Sequence, residues 1–376
     1  MLSTEPRSAY LHIPFCRSKC GYCNFTVVAG HGDWIPRYLA CLELELSRLE
    51  RPRPVDTLFL GGGTPTELPP PALESLLKLV NHWFPLAAGG EFSIEANPID
   101  VNAELAALLV EQGVSRVSLG AQSFSSRKLK LLERDHDRAI IERAAAAIRE
   151  AGMQLSLDLI FGAPEETAEE WQADLDSTVA LAPDHISTYG LTIERGSAFY
   201  ALEQSGALRK PEEETELGLY LAAIDTLNRA GFEHYEVSNF ARPEKRCRHN
   251  EVYWLGGEYF AAGPGAARYV SGRRERNHQS TLTWMRRLET GESPTEEGAE
   301  RSPEKRARER LVLGLRRLEG REAARFEAET GFPLLELGGA PLQRFLARGL
   351  MQFEGNRLRL TREGLVISDS LWPHLL

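Results

Sequence analysis

Cys16, Cys20 and Cys23 fall within eight positions, just after a short apolar run, Tyr10-Leu11-His12-Ile13. Three thiols so close cannot all pair as disulfides, and an intracellular group of this kind is more often a metal site than a redox pair. Zinc usually takes four ligands, and no fourth Cys or His stands at a usual spacing nearby. A cubane [4Fe–4S] cluster has four irons; three cysteines would hold three of them and leave one open to a second molecule. Chance clustering or a three-cysteine zinc site is the competing reading.

Other residues could complete such a site. Gly61-Gly62-Gly63-Thr64-Pro65 would let the backbone approach a ligand closely and offer carbonyls and a hydroxyl to an ammonium group. On its own the run reads equally as a tight turn. Glu95 and Asp158 suit ribose hydroxyls or an ammonium, since a carboxylate accepts two hydrogen bonds at once; a salt bridge to a neighbouring Arg would use them otherwise. Gln122 can bind amide, hydroxyl or carboxylate groups, or cap a turn. Arg134 suits a carboxylate, or lies on the surface at a helix end. His249 heads His-Asn-Glu-Val-Tyr-Trp, where a neutral imidazole could be an axial ligand to haem iron and Tyr253 and Trp254 could pack on a porphyrin. A loop histidine among buried aromatics is the alternative. Cys247 could also ligate iron, although a free cysteine is mostly a buried hydrophobe, as Cys41 should be.

These residues need a frame. Short apolar or β-branched runs at 9–13, 57–60, 91–94, 116–119, 155–160 and 186–189 read as strands. Helical patterns lie between and after them, at 34–49, 71–80, 103–112, 137–151, from Thr167 to 181, and 212–230. Asn102 should cap the third, and Thr167-x-x-Glu170 reads as a capping box. Six strand–helix units imply an α/β fold with a parallel sheet. Cys16, the Gly-Gly-Gly-Thr-Pro run, Glu95, Gln122, Asp158 and Tyr189 all fall at or after carboxyl ends of strands, where a parallel barrel gathers its site. After Gly190 the pattern loosens, with one more strand candidate at 233–237 and a glycine-rich run from Gly256 to Gly265. Helices at 303–318, 320–330 and 341–349, then a hairpin over Glu354-Gly355-Asn356, read as a smaller winged-helix-like unit. Glu and Arg alternate there without a basic stripe, so packing or lid duty is favoured over DNA binding. The expected division is 1–240 for the barrel, 241–295 for a connecting segment, and 296–376 for the C-terminal unit.

The chain has 376 residues, 42% of them hydrophobic, which is enough for a large core. A net charge of −10 argues against a nucleic-acid partner. No secretory signal or membrane span is visible, and peripheral membrane contact stays open. Five cysteines, three clustered, fit a reducing cytoplasm.

C-x3-C-x2-C, with Tyr22 before the third cysteine, is similar to the motif by which radical S-adenosylmethionine (SAM) proteins hold a [4Fe–4S] cluster. Together with Tyr10-x-His12-Ile-Pro14, Gly-Gly-Gly-Thr-Pro, Glu95-Ala-Asn-Pro98, Gly120-x-Gln122-Ser-Phe124, Arg134 and Asp158-Leu-Ile-x-Gly162-x-Pro164, it resembles the family of oxygen-independent coproporphyrinogen III oxidase over about residues 8–270, and more loosely beyond. The resemblance implies a partial (β/α)6 barrel of the radical SAM type. It also implies SAM contacts at Tyr10, Gly62, Gly63, Thr64, Glu95, Gln122, Arg134 and Asp158, with Tyr22 beside the cluster. The oxidase branch carries a fourth cysteine where this chain has Phe25. The haem-chaperone branch has Phe there and the His-Asn-x-x-Tyr-Trp motif, found here at His249 to Trp254. That branch implies haem as cargo, handed to a client protein the sequence does not name. The alternative is oxidative decarboxylation of coproporphyrinogen III. Relatives often show Gly-Ala-His where this chain has Gly265-Ala266-Ala267, which leaves that histidine's role without a residue here. Neither SAM cleavage nor oligomeric state is legible.

Overall fold

The computed structural model describes residues 5–376. Six strands run as the sequence predicts: β1 Ser8–Ile13, β2 Val55–Gly62, β3 Leu86–Ala96, β4 Arg116–Gln122, β5 Gln154–Phe161 and β6 His185–Gly190. Each is parallel to its neighbour. Between them lie α1 Ile35–Ser47, α2 Pro70–Trp83, α3 Ala103–Glu111, α4 Ser126–Leu131, α5 Arg138–Glu150 and α6 Ala168–Ala180. The helices α7 Ala198–Gln204 and α8 Glu213–Arg229 follow β6. Side chains alternate along a strand: Ala9, Leu11 and Ile13 share one face of β1 and are fully buried, while Tyr10 and His12 fall on the other. Each helix turns one stripe to the sheet. In α5, Ile141, Ala144, Ala145 and Ile148 are the buried set, at helical spacing.

The helix starts follow the sequence with one difference. Asn102 accepts from the Leu105 amide at 2.8 Å, and Thr167 from the Glu170 amide at 3.2 Å. The Glu170 carboxylate, expected to close a capping box, instead takes Ser125 Oγ and the Arg127 guanidinium. A charge-assisted bond outcompetes a neutral amide.

The sheet is larger than six strands. Beyond β6 it carries β7 Glu233–Glu236 and β8 Asn239–Ala241, both antiparallel. Beyond β1 it gains a seventh parallel strand, β9 Phe260–Ala262. The order across the sheet is β9-β1-β2-β3-β4-β5-β6-β8-β7. The short helix α9 Arg248–Trp254 precedes β9; β10 Ala267–Val270, β11 Arg273–Asn277, α10 Thr281–Glu289 and β12 Thr295–Glu300 follow it. The buried Glu45 carboxylate on α1 ties this segment down. It accepts from the Gly263 amide, Asn277 Nδ2 and Trp284 Nε1, each within 2.9 Å. The C-terminal unit has the three helices and hairpin of the sequence reading: α11 Pro303–Leu315, α12 Ala323–Thr330 and α13 Leu334–Ala347, with β13 Arg321–Glu322, β14 Met351–Glu354 and β15 Arg357–Leu360. It docks on the sheet edge, where Arg316 meets Glu236 at 2.8 Å and the Leu318 amide donates to Tyr235 O.

One buried charge cluster holds two mouth loops together. Lys128 on α4 is fully buried, with Nζ on Glu166 and, at 3.2 Å, on Asp174. Asp174 also accepts from Ser123 Oγ and the Phe124 amide, and Glu166 from the Ala163 amide. Removing the one cation leaves two carboxylates buried and uncompensated. Lys128→Met should therefore destabilise the fold by about 3–5 kcal/mol. Urea unfolding checks this: a midpoint shift worth less than ~1 kcal/mol would mean that the carboxylates find another proton or cation.

Candidate functional site

The loop after β1 is pinned at several points. Phe15 and Cys16 pair with Val28 and Ala29 in a short bridge. His12 Nε2 meets the Thr26 carbonyl at 2.7 Å. The Gly21 amide donates to Glu133 at 2.7 Å, and Gly21 O accepts from Phe199 N. Arg17 reaches Asp100, Glu67 and Asp135 at 2.9, 3.3 and 3.6 Å. Cys23 N donates to Cys20 O, so these two cysteines share a turn.

Cys16, Cys20 and Cys23 open on a cleft of about 520 Å³ at the carboxyl ends of the strands. Tyr22, Gly62, Gly63, Thr64, Glu95, Gln122, Arg134 and Asp158 line the same cleft. Two predicted residues lie elsewhere. Tyr10 and His249 face an adjoining cavity of about 210 Å³, which shares Glu95, Ser118, Asp158 and Tyr189 with the cleft.

The turn after β2 needs its glycines for different reasons. Gly62 has φ +106°, and a Cβ there would strike the His12 ring. A Cβ on Gly61 would come within 2.7 Å of the Glu95 carboxylate. Gln122 is not a glycine yet has φ +63°, at the end of a register shift in β4. Such a conformation costs free energy and is held only by its surroundings.

The charges do not balance locally. Among the described residues, neither Glu95 nor Asp158 pairs with a cation. Glu95 accepts from the Gly62 amide at 2.9 Å, and Asp158 from Ser118 Oγ at 2.9 and 3.1 Å. Burial pushes Glu95 up to about 7 and Asp158 up to about 6. Arg134 turns inward, with Nη2 on Gly120 O at 3.1 Å and Nη1 3.6 Å from Cys20 Sγ. Its Nε is buried without a partner. A guanidinium with a spare donor thus stands across from two carboxylates lacking a cation, which complements a zwitterion bearing further hydroxyls.

The thiols fit iron better than a lone ion. Among the described residues, no three metal-ligating side chains converge as around a single ion. A cubane asks instead for one thiolate on each of three separate irons. Burial pushes the Cys16 thiol up to about 11 and raises that of Cys23. Bound metal is what would deprotonate them.

His249 is buried, and both ring nitrogens are engaged: Nδ1 with Thr57 Oγ1 at 3.0 Å and Nε2 with the Tyr253 hydroxyl at 2.7 Å. Burial pulls its pKa down to about 3, so the imidazole is neutral. Trp254 is covered by Arg316, whose guanidinium lies 4.7 Å from the ring centre. Cys247 is buried with Sγ 3.6 Å from Glu91, and Cys41 is a core residue. The glycine-rich run packs as backbone on backbone: a Cβ at Gly263 would strike His12 O.

Sequence reasoning missed several supports. Ser118 was findable, because it alternates with Gly120 and Gln122 on one face of β4. Glu91 holds the start of α9 through the amides of Arg248 and His249. Glu133 and Phe199 grip Gly21 from segments with no local signal.

Fold and site together define a radical SAM protein. The Radical SAM superfamily model matches residues 10–177, and the HemN C-terminal domain model matches residues 302–367. A coproporphyrinogen III oxidase (HemN) structure from Escherichia coli superimposes with a TM-score of 0.86 over 99% of this chain and 90% of that one; at 22% identity this shows the fold. The heme chaperone HemW of Mycobacterium tuberculosis is 35% identical over 99% of this chain and 95% of its own length. That of Bacillus subtilis is 32% identical over 98% and 99%. The mitochondrial radical S-adenosyl methionine domain-containing protein 1 of Bos taurus is 33% identical over 99% and 88%. The chain belongs to the HemW family.

The raised carboxylates set a pH dependence. Glu95 is held neutral in the fold, so its contribution is full below about 4.5 and is lost as pH rises through about 7. In the ligand-free protein at pH 8, Glu95→Gln should be more stable than wild type by about 1–3 kcal/mol, with the gain vanishing only near pH 4, below the ordinary carboxylate range. Urea midpoints at both pH values decide it; an equal difference at each would mean Glu95 is not held neutral.

Proposed function

We propose that this protein is a haem chaperone that holds a [4Fe–4S] cluster and SAM, binds haem and passes it to a client protein. The observation that carries this reading is the meeting of three thiols, an under-used guanidinium and two uncompensated carboxylates in one cleft, in a chain of the HemW family.

Cys16, Cys20 and Cys23 hold the cluster. When bound, it supplies one iron open to chelation by the amino and carboxylate groups of an amino acid. Arg134 Nε takes the SAM carboxylate. Glu95, Asp158 and the Gly62-Gly63-Thr64 turn take its amino group and ribose hydroxyls, and Gln122 and Tyr22 close the sides. Tyr10 acts from the adjoining cavity, through the wall that Glu95 shares. The segments divide the work: 1–240 holds cluster and SAM, 241–295 carries His249, and 296–376 packs against the sheet edge. Thiolate ligands suit a reducing cytoplasm, and among the described residues no helix is long and apolar enough to cross a membrane.

Haem ligation by His249 carries a cost that can be named. Its cavity of about 210 Å³ falls below the ~300–1,000 Å³ typical of small-molecule sites. Iron can reach Nε2 only if the Tyr253 hydroxyl gives it up and α9 swings out. The neutral imidazole is then already in its ligating form.

Anaerobic reconstitution and haem titration test the reading. Each single Cys→Ser variant at 16, 20 or 23 should lose most iron and sulfide, while Cys41→Ser and Cys247→Ser keep both. Wild type should give a saturable Soret band and no turnover of coproporphyrinogen III with SAM. His249→Ala should weaken haem by about tenfold or more, and Tyr253→Phe, which frees Nε2, should not. Repeated conversion of coproporphyrinogen III would replace the chaperone with an oxidase.

A further inference from the structure

Away from the cleft, a second cavity of about 340 Å³ lies between the β10–β11 hairpin and the helices α11 and α12. Its volume falls within the ~300–1,000 Å³ of small-molecule sites. Three arginines and three glutamates line it: Arg274, Arg306, Arg310, Glu258, Glu309 and Glu329. The glutamates are already claimed. Glu258 accepts the amides of Ser271 and Gly272 at 2.9 and 2.7 Å. Glu309 is shared by Arg301 and Arg274. Glu329 serves Arg321 and Arg325 within 2.9 Å and Arg310 at 3.6 Å.

The arginines are not all satisfied. Among the described residues, no carboxylate pairs with Arg306. Its guanidinium lies against Gly272, in the space where a side chain there would be. Arg274 stacks on Tyr269 at 5.1 Å, and its Nε is buried without a partner. On α11, Arg306 thus has no anionic partner among the described residues, and on the hairpin Arg274, paired with Glu309 at 3.6 Å, keeps an unmet Nε, in a protein whose net charge is −10. Pro303, at the start of α11, lies on the same wall, and the helix dipole there favours negative charge. Guanidinium forks match oxyanions that present two adjacent oxygens.

We propose that this cavity binds a small dianion, phosphate or dicarboxylate, through Arg274 and Arg306. The site is independent of the cluster cleft and joins the central segment to the C-terminal unit, so its occupant would fasten the two together.

The test titrates the protein with inorganic phosphate and, separately, with succinate, at constant ionic strength set with sodium chloride. Thermal unfolding and calorimetry are the readouts. Wild type should bind one of the probes saturably and gain stability with it. Arg306→Gln and Arg274→Gln should each weaken that binding by about tenfold or more. Arg306→Lys, which keeps the charge but loses the fork, should fall between. Arg308→Gln, on the same helix but paired with Glu304, should bind as wild type does. Saturation by inorganic phosphate alone would name a phosphate ligand, and saturation by succinate a carboxylate. Failure of both probes, an unaltered Arg306→Gln, or equal loss in Arg308→Gln would overturn the proposal.

Discussion

The mouth of the sheet depends on how closely the ends of β1 and β2 approach. Gly62 lies on the His12 ring with φ +106°, where a side chain is excluded twice, by the clash and by the backbone. His12 in turn holds the Thr26 carbonyl, which sets the return of the loop carrying the three cysteines. On its other side, the Gly61–Gly62 turn leaves space for Glu95 and gives it an amide. One close contact thus fixes the cysteine loop and a carboxylate together. A Cβ at either position would move both.

Around that contact the protein spends stability on unbalanced charge. Buried polar groups normally find partners, and an unpaired charge is tolerated only at a cost. Here the costs fall where a ligand would remove them. Among the described residues, Glu95 and Asp158 lack a cation and Arg134 Nε lacks an acceptor; beside them Gln122, at positive φ, adds a backbone cost of its own. The nearby Lys128 cluster shows the contrast. It is equally buried, but its carboxylates are matched by a cation and by hydroxyl and amide donors, so it serves as a brace. Compensation is what separates the Lys128 cluster from the groups in the cleft.

The βα alternation was legible because short apolar or β-branched runs alternate with helix-period segments, and the helix caps at Asn102 and Thr167 follow local rules. The gathering of Cys16, the Gly61–Gly63 turn, Glu95, Gln122 and Asp158 followed from strand ends sharing one face. What could not be read is long-range. The strand Phe260–Ala262 is three residues inside a glycine-rich run, too short for periodicity, and it exists because β1 offers a free edge. Glu133 and Phe199 reach Gly21 across more than a hundred residues, with nothing local to mark them.

His249 shows best how a motif and its setting can differ. The sequence presents an imidazole with two aromatics, a set that suits a porphyrin. The fold turns that set inward: Glu91 fixes the start of α9, Thr57 and Tyr253 occupy the ring nitrogens, and Arg316 covers Trp254. Every one of these contacts is polar or cation–π, and none is a large apolar interface. Such contacts are individually worth about 0.5–3 kcal/mol. A ligand that offers iron to Nε2 and an apolar plane to the aromatics competes directly with them. In this arrangement the imidazole is neutral and both its nitrogens are engaged.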